Sequence, residues 1–259
     1  MKIAATKSVV LALAAGSLLA CGAGKKSGNP GNPVPNASLA GLWSGTDSSS
    51  GLGIVAMVDA AGDATILRSD GVQYVGNLPT AGDAIAGAVD GYANYGHSFS
   101  DRSIFGIGTV NGTVVPGASI TANLAFTTSA GAALPGAWKL QFGALTKLGS
   151  AVATLARNYT DDDTGATVSV TASGVINSQN PTTGCVLNGT VATSEATIDV
   201  YQVAYTLESC TGAYAVLNGV AFSGLGYFDN TNLSAKLVYA VAGSSAGGNF
   251  GIASHLTGI

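Results

Sequence analysis

The chain has 259 residues, of which only 9% are charged and 37 are glycine, and its formal net charge is −4. So little Glu, Lys and Arg leaves few of the residues from which solvated helices are built, and so low a charge density is unlike a disordered polyelectrolyte. No basic stripe is present to neutralise phosphates, so the chain has no electrostatic footprint for nucleic acid.

The chain opens with Lys2 and Lys7, followed by an apolar run from Val9 to Ala20 and small residues before a cysteine. This is the pattern of a secretory signal, and the run is shorter than the roughly 20 residues a spanning helix needs. Leu18-Leu19-Ala20-Cys21 resembles the lipobox of bacterial lipoproteins. The resemblance implies removal of residues 1–20, alkylation of the Cys21 thiol with diacylglycerol and acylation of its new amino group. Several acyl chains, at about 0.8 kcal/mol per buried methylene, then hold the protein on a membrane. Gly22 rather than Asp after the cysteine implies the outer membrane, with the folded part facing the periplasm or the surface. Loss of Lys2 and Lys7 leaves 8 basic against 14 acidic residues, a mature balance of −6. Residues 21–37 are rich in Gly, Asn and Pro and read as a tether, with Lys25 and Lys26 near anionic headgroups.

Beyond the tether the pattern is all-β. Gly53–Val58, Ala64–Leu67, Val72–Val75, Ile85–Val89, Ile104–Val110, Ser119–Phe126 and Ala137–Phe142 are apolar or alternating. Gly62-Asp63, Asp70-Gly71, Gly82-Asp83, Asp90-Gly91, Asn111-Gly112 and Pro135-Gly136 punctuate them as turns. The scheme recurs through Thr167–Thr171, Cys185–Val191, Thr197–Leu207, Tyr214–Phe222, Leu233–Val241 and Asn249–Ala253. Ala151–Arg157 allows one helical turn.

The two halves are also related in sequence. Ala37-Ser38-Leu39-Ala40 with Trp43-Ser44 matches Ala153-Thr154-Leu155-Ala156 with Tyr159-Thr160, and Ser119–Phe126 matches Asn232–Tyr239 in pattern. Gly136-Ala137-Trp138 matches Gly248-Asn249-Phe250, and Gly62 and Gly76 match Gly174 and Gly189. A near-constant offset in unchanged order predicts two tandem, internally repeated antiparallel barrel or sandwich lobes, 38–148 and 149–259.

A lipidated cysteine, a tether and two β lobes resemble the plan of the transferrin-binding protein B and factor H-binding families of surface lipoproteins. Gly248-Asn249-Phe250-Gly251 resembles the Gly-x-Phe-Gly closing strand of their barrels, and Gly41-Leu42-Trp43 is similar to the Gly-x-Trp of lipocalin-type barrels, whose aromatic plugs one end. The resemblance implies a protein that binds rather than catalyses, with no partner residue carried over. With Cys21 assigned to lipid, Cys185 and Cys210 remain in an export compartment, and a disulfide between them is expected.

Catalytic signals are weak. His97 and His255 lie at non-equivalent places in different lobes, Glu195 and Glu208 form no recognisable carboxylate pair, and no nucleophile elbow or metalloprotease motif is present. No cofactor or metal is expected. Asp161-Asp162-Asp163-Thr164-Gly165 begins like a Ca²⁺ loop but lacks a closing bidentate Glu, so a hairpin turn is expected. The candidate contact surface is the aromatic concentration at 90–105, with Tyr92, Tyr95, His97, Phe99 and Arg102, which suits a protein or glycan ligand. Gly226-Tyr227-Phe228-Asp229-Asn230 is a weaker second candidate. The expected role is a non-catalytic binding module, with a structural envelope protein or a periplasmic inhibitor as the alternative.

Overall fold

The computed structural model describes residues 35–231 and 234–259. The signal peptide, Cys21 and the tether up to Val34 lie outside the described residues, as do Asn232 and Leu233 of the repeat match.

Strands β1 (Gly41–Asp47), β2 (Gly53–Val58), β3 (Asp63–Arg68), β4 (Gln73–Asn77), β5 (Thr80–Ala81), β6 (Ala84–Tyr92), β7 (Phe105–Val115), β8 (Ser119–Thr128) and β9 (Gly136–Phe142) form the first lobe. They pair antiparallel in the order β4-β3-β2-β1-β9-β8-β7-β6-β5, and a β4–β6 pairing closes the barrel, with β5 a short arm on β6. The second lobe is a closed antiparallel barrel of β10 (Arg157–Asp161), β11 (Thr167–Val170), β12 (Val175–Gln179), β13 (Val186–Thr193), β14 (Tyr201–Glu208), β15 (Ala221–Asp229), β16 (Lys236–Ser245) and β17 (Gly248–Gly258). Single 3-10 turns at Ala144–Leu148, Val152–Leu155 and Gly212–Leu217 complete the chain.

Alternation decides which face is inside. In β8, Ile120, Ala122, Leu124 and Phe126 are buried while Thr121, Asn123, Ala125 and Thr127 are exposed. The apolar residues therefore face the lumen, the reverse of a membrane-spanning barrel. Among the described residues no helix is long and apolar enough to cross a membrane.

The internal repeat is visible atom by atom. The Trp43 indole Nε1–H donates to the Leu39 carbonyl at 2.7 Å, and the Tyr159 hydroxyl donates to the Leu155 carbonyl at 2.9 Å. Each aromatic is fully buried at the start of its barrel's first strand, and each ties that strand to the segment before it. Gly62 and Gly174 both close the second hairpin of their barrel at positive φ, 86° and 84°. Gly76 and Gly189 both lie in the fourth strand, where a Cβ would come within 2.2 Å of the Ala88 carbonyl and 2.3 Å of the Ala204 carbonyl. The match of Gly136–Trp138 to Gly248–Phe250 holds by strand but not by rung. Asp47 faces Trp138 across β1 and β9, whereas its counterpart Asp161 faces Leu256 across β10 and β17.

The shared aromatic tie makes a paired prediction. Tyr159→Phe, which leaves the buried Leu155 carbonyl without its donor, should lower stability by about 1–2 kcal/mol in denaturant unfolding. Trp43→Phe should cost more, about 2–4 kcal/mol, because it also leaves a void. A Tyr159→Phe midpoint equal to wild type would show that the tie is not shared.

Several sequence expectations are corrected. Asp90-Gly91 and Asn111-Gly112 are not turns but interior positions of β6 and β7. A Cβ on Gly91 would meet the Phe126 ring at 2.3 Å, and one on Gly112 would meet the Thr121 carbonyl at 2.3 Å, so close approach rather than chain reversal requires glycine there. Tyr214–Phe222 is not one strand. A 3-10 turn occupies Gly212–Leu217, and β15 starts at Ala221 after Gly219 at φ 76°.

The barrels pack side by side through a separate apolar cluster. Leu42, Met57 and Leu67 on the outside of the first barrel meet Ile198, Val200, Leu225, Val238, Ala240 and Ala253 of the second. The buried Gln73 side chain crosses the seam, its amide donating to the Val241 carbonyl at 2.9 Å.

Candidate functional site

The loop following β6, which carries the predicted contact residues other than Tyr92, enters the seam between the barrels at Asn94 and Tyr95. Strand β10 reaches β17 only through Tyr159–Asp161, against Leu256–Gly258. Asn94 of the first lobe pairs with Gly251 further along that edge, with the Tyr95 N–H donating to the Gly251 carbonyl at 2.8 Å and the Asn94 side chain accepting from the Ala253 N–H at 3.0 Å. Gly251 is required here, because a Cβ would meet Gln73 at 2.2 Å and Tyr92 at 2.5 Å.

The five predicted contact residues are thus separated by the fold. Tyr92 is buried beside Phe105, its ring centroid 5.3 Å away, and burial, with Asp90 nearby, pushes its phenol up to about 12. Phe99 is buried in the first barrel's core against Phe126 and offers no surface to a partner. Arg102 is exposed at φ 70° in a turn whose N–H donates back to the Phe99 carbonyl. Tyr95 donates its hydroxyl to the Ala213 carbonyl at 2.7 Å and packs at a tilt against Tyr214, the ring centroids 5.2 Å apart. His97 is exposed and stands at the mouth of a cavity that Tyr95 also lines. In the second candidate, Gly226–Asp229 belong to β15 and Phe228 is buried in the barrel core.

That cavity, about 440 Å³, is the feature the loop serves. It occupies one end of the second barrel, walled by Val168, Leu187, Leu207 and Ile252 and bordered by Leu217 and Tyr214 of the 3-10 turn. The turn is held by the Cys185–Cys210 disulfide and by the Asn218 side chain, which accepts from the Cys210 N–H at 2.7 Å and donates to its carbonyl at 3.0 Å.

Polar groups lie inside. Asp161, Ser254, Tyr205 and Tyr239 all line the cavity and are all buried. The Ser254 hydroxyl donates to Asp161 Oδ2 at 2.5 Å, while Asp161 Oδ1 accepts the N–H groups of Asp163 and Thr164 and the Thr164 hydroxyl. The acidic run is therefore the β10–β11 turn, with Asp162 paired to Lys236 at 3.1 Å. Burial drives the Tyr205 and Tyr239 phenols far up, with the nearby Asp161 charge adding to it, so both present O–H groups at neutral pH.

The corresponding end of the first barrel carries packed rings instead. There Phe99 and Phe126 pack at 5.4 Å, Tyr74 and Phe126 at 5.4 Å, and Tyr74 and Trp138 at 5.7 Å, filling the lumen with rings. Asp47, the counterpart of Asp161, is turned to structural use. Burial pushes its carboxyl up, but the N–H groups of Ala137 and Ser49 and the Ser50 hydroxyl outweigh this and hold it below the usual range.

The cavity residues Asp161, Tyr205, Tyr239 and Ser254 were not singled out in the sequence as a site. Their signal is inward alternation along β10, β14, β16 and β17, which is indistinguishable from core patterning until the barrel shows unfilled space. Comparison with protein-family models finds no match for this chain, and comparison with curated proteins finds none either.

Proposed function

We propose that this is a lipid-anchored outer-membrane lipoprotein, tethered through Cys21, whose folded part is a non-catalytic binding module taking a small amphipathic ligand into the second barrel. The observation that carries the reading is the contrast between two related barrels. One has its end filled by rings, while the other keeps about 440 Å³ open over buried polar groups. A volume of this order suits a small molecule, and apolar walls with a few convergent polar groups are what such sites present. The aromatic loop at 90–105 supports this rather than an inhibitor's protruding loop, because its Tyr95 bridges to the second barrel and, with His97, borders the cavity.

N-phenyl-1-naphthylamine, a neutral apolar fluorophore, should bind with saturable one-site enhancement. Leu187→Trp, which fills the cavity, should abolish it while thermal unfolding stays cooperative. An unchanged response in Leu187→Trp would place binding elsewhere and overturn the cavity reading. The anchor has its own test: the mature N-terminal peptide should carry acyl chains on Cys21, and an unmodified cysteine there would remove it.

A further inference from the structure

We infer that the second barrel's cavity selects a small amphipathic amine, an apolar body carrying one protonated nitrogen. The inference rests on the reading of the cavity as a ligand site. Asp161 contributes a carboxylate to the cavity wall, Asp163 stands at the rim, and neither Lys nor Arg lines the space. The ion pairs among the described residues, Arg68–Asp70 and Lys236–Asp162, leave Asp161 without a cationic partner. Its Oδ1 is occupied by turn donors, but among the described residues Oδ2 receives the Ser254 hydroxyl alone, at 2.5 Å, and keeps accepting capacity.

A carboxylate in a partly desolvated space attracts a cation and repels an anion more strongly than at the surface. The remaining walls favour the same choice. Four tyrosines, Tyr95, Tyr205, Tyr214 and Tyr239, line the cavity with the carboxylate, and electron-rich aromatic rings suit an ammonium group. Val168, Leu187, Leu207 and Ile252 take the apolar body.

The test uses three fluorescent probes with one apolar body: dansyl pentanediamine with its free ammonium, its neutral N-acetyl derivative, and dansyl aminohexanoate with a carboxylate. On the unmodified protein the amine should bind at least tenfold more tightly than either analogue, and Asp161→Asn should close most of that gap. Because Asp161 also braces the β10–β11 turn, the probe comparison on unmodified protein decides the matter even if the variant misfolds. Equal affinity for all three, or tighter binding of the carboxylate, would overturn amine selection while leaving a cavity that binds apolar molecules. Binding by none of them would overturn the cavity reading as well.

Discussion

Replacing Cys185 and Cys210 with serine should lower stability by about 3.5 kcal/mol and weaken probe binding in the second barrel together. The bond closes a loop with a sequence separation of 25, and the chain-entropy relation for that length yields the magnitude, about 3.5 kcal/mol. The link to binding is structural. Cys210 precedes the 3-10 turn Gly212–Leu217, Leu217 is buried in the barrel core, and Ala213 and Tyr214 hold Tyr95 over the cavity. Without the bond, Thr211 still donates twice to the Thr183 carbonyl, at 2.8 and 2.9 Å, so the turn is loosened rather than lost. Denaturant unfolding with and without reductant reads the stability, and N-phenyl-1-naphthylamine titration of the folded variant reads the cavity. A reduced protein with an unshifted midpoint would sink the first expectation, and full-strength binding by the folded variant the second.

The other large effect is at Asp199, which is buried in the β13–β14 connection at the seam between the barrels. Its N–H donates to the Thr146 carbonyl of the segment leaving the first barrel, and Ile198 and Val200 flank it in the interbarrel cluster. Among the described residues the carboxylate receives two long contacts, both from the Phe228 N–H at 3.3 Å. Burial pushes its acid up to about 7, the Phe228 N–H opposes this, and the charge of Asp229 adds to it. Tyr201 and Tyr227 are the other titratable groups coupled to it.

A carboxyl whose folded pKa lies above its unfolded value contributes stability that is fully present below the unfolded value, 3.8, and lost as pH rises toward about 7. Across that window the loss amounts to about 4 kcal/mol at most, at 1.36 kcal/mol per unit. Asp199→Asn removes the ionisation and keeps the shape. The variant should therefore match wild type near pH 4, exceed it by several kcal/mol at pH 8, and show a flatter pH profile. Parallel stability curves for the two proteins across that range would refute the assignment.

The all-β class, the first-lobe strands other than β1 and β5, and the doubling of the chain were legible because they rest on local signals: alternation, hairpin glycines, and an aromatic at a fixed place in each half. The Leu39–Trp43 and Leu155–Tyr159 pairs are the clearest case, since four residues separate each donor from its acceptor. The pairing of Cys185 with Cys210 was also reachable, once Cys21 was set aside for lipid. Glycines misled where their reason was not local. Gly91 and Gly112 look like turn residues and are in fact places where Phe126 and the β8 backbone press close.

The site lay beyond sequence reading for the same kind of reason. The aromatic concentration at 90–105 was conspicuous, but its division among a core, a seam and a cavity mouth depends on contacts more than a hundred residues away, such as Tyr95 with Ala213. An inward Asp, Ser or Tyr has the same period whether the space beside it is filled or empty. The amino-acid sequence by itself determined that each half is an antiparallel β lobe, through alternation and turn chemistry that act over a few residues, and it left barrel and sandwich both open. Only the tertiary structure decided that one barrel is filled and the other open, because the free volume inside a barrel is what remains after every strand has contributed its side chains.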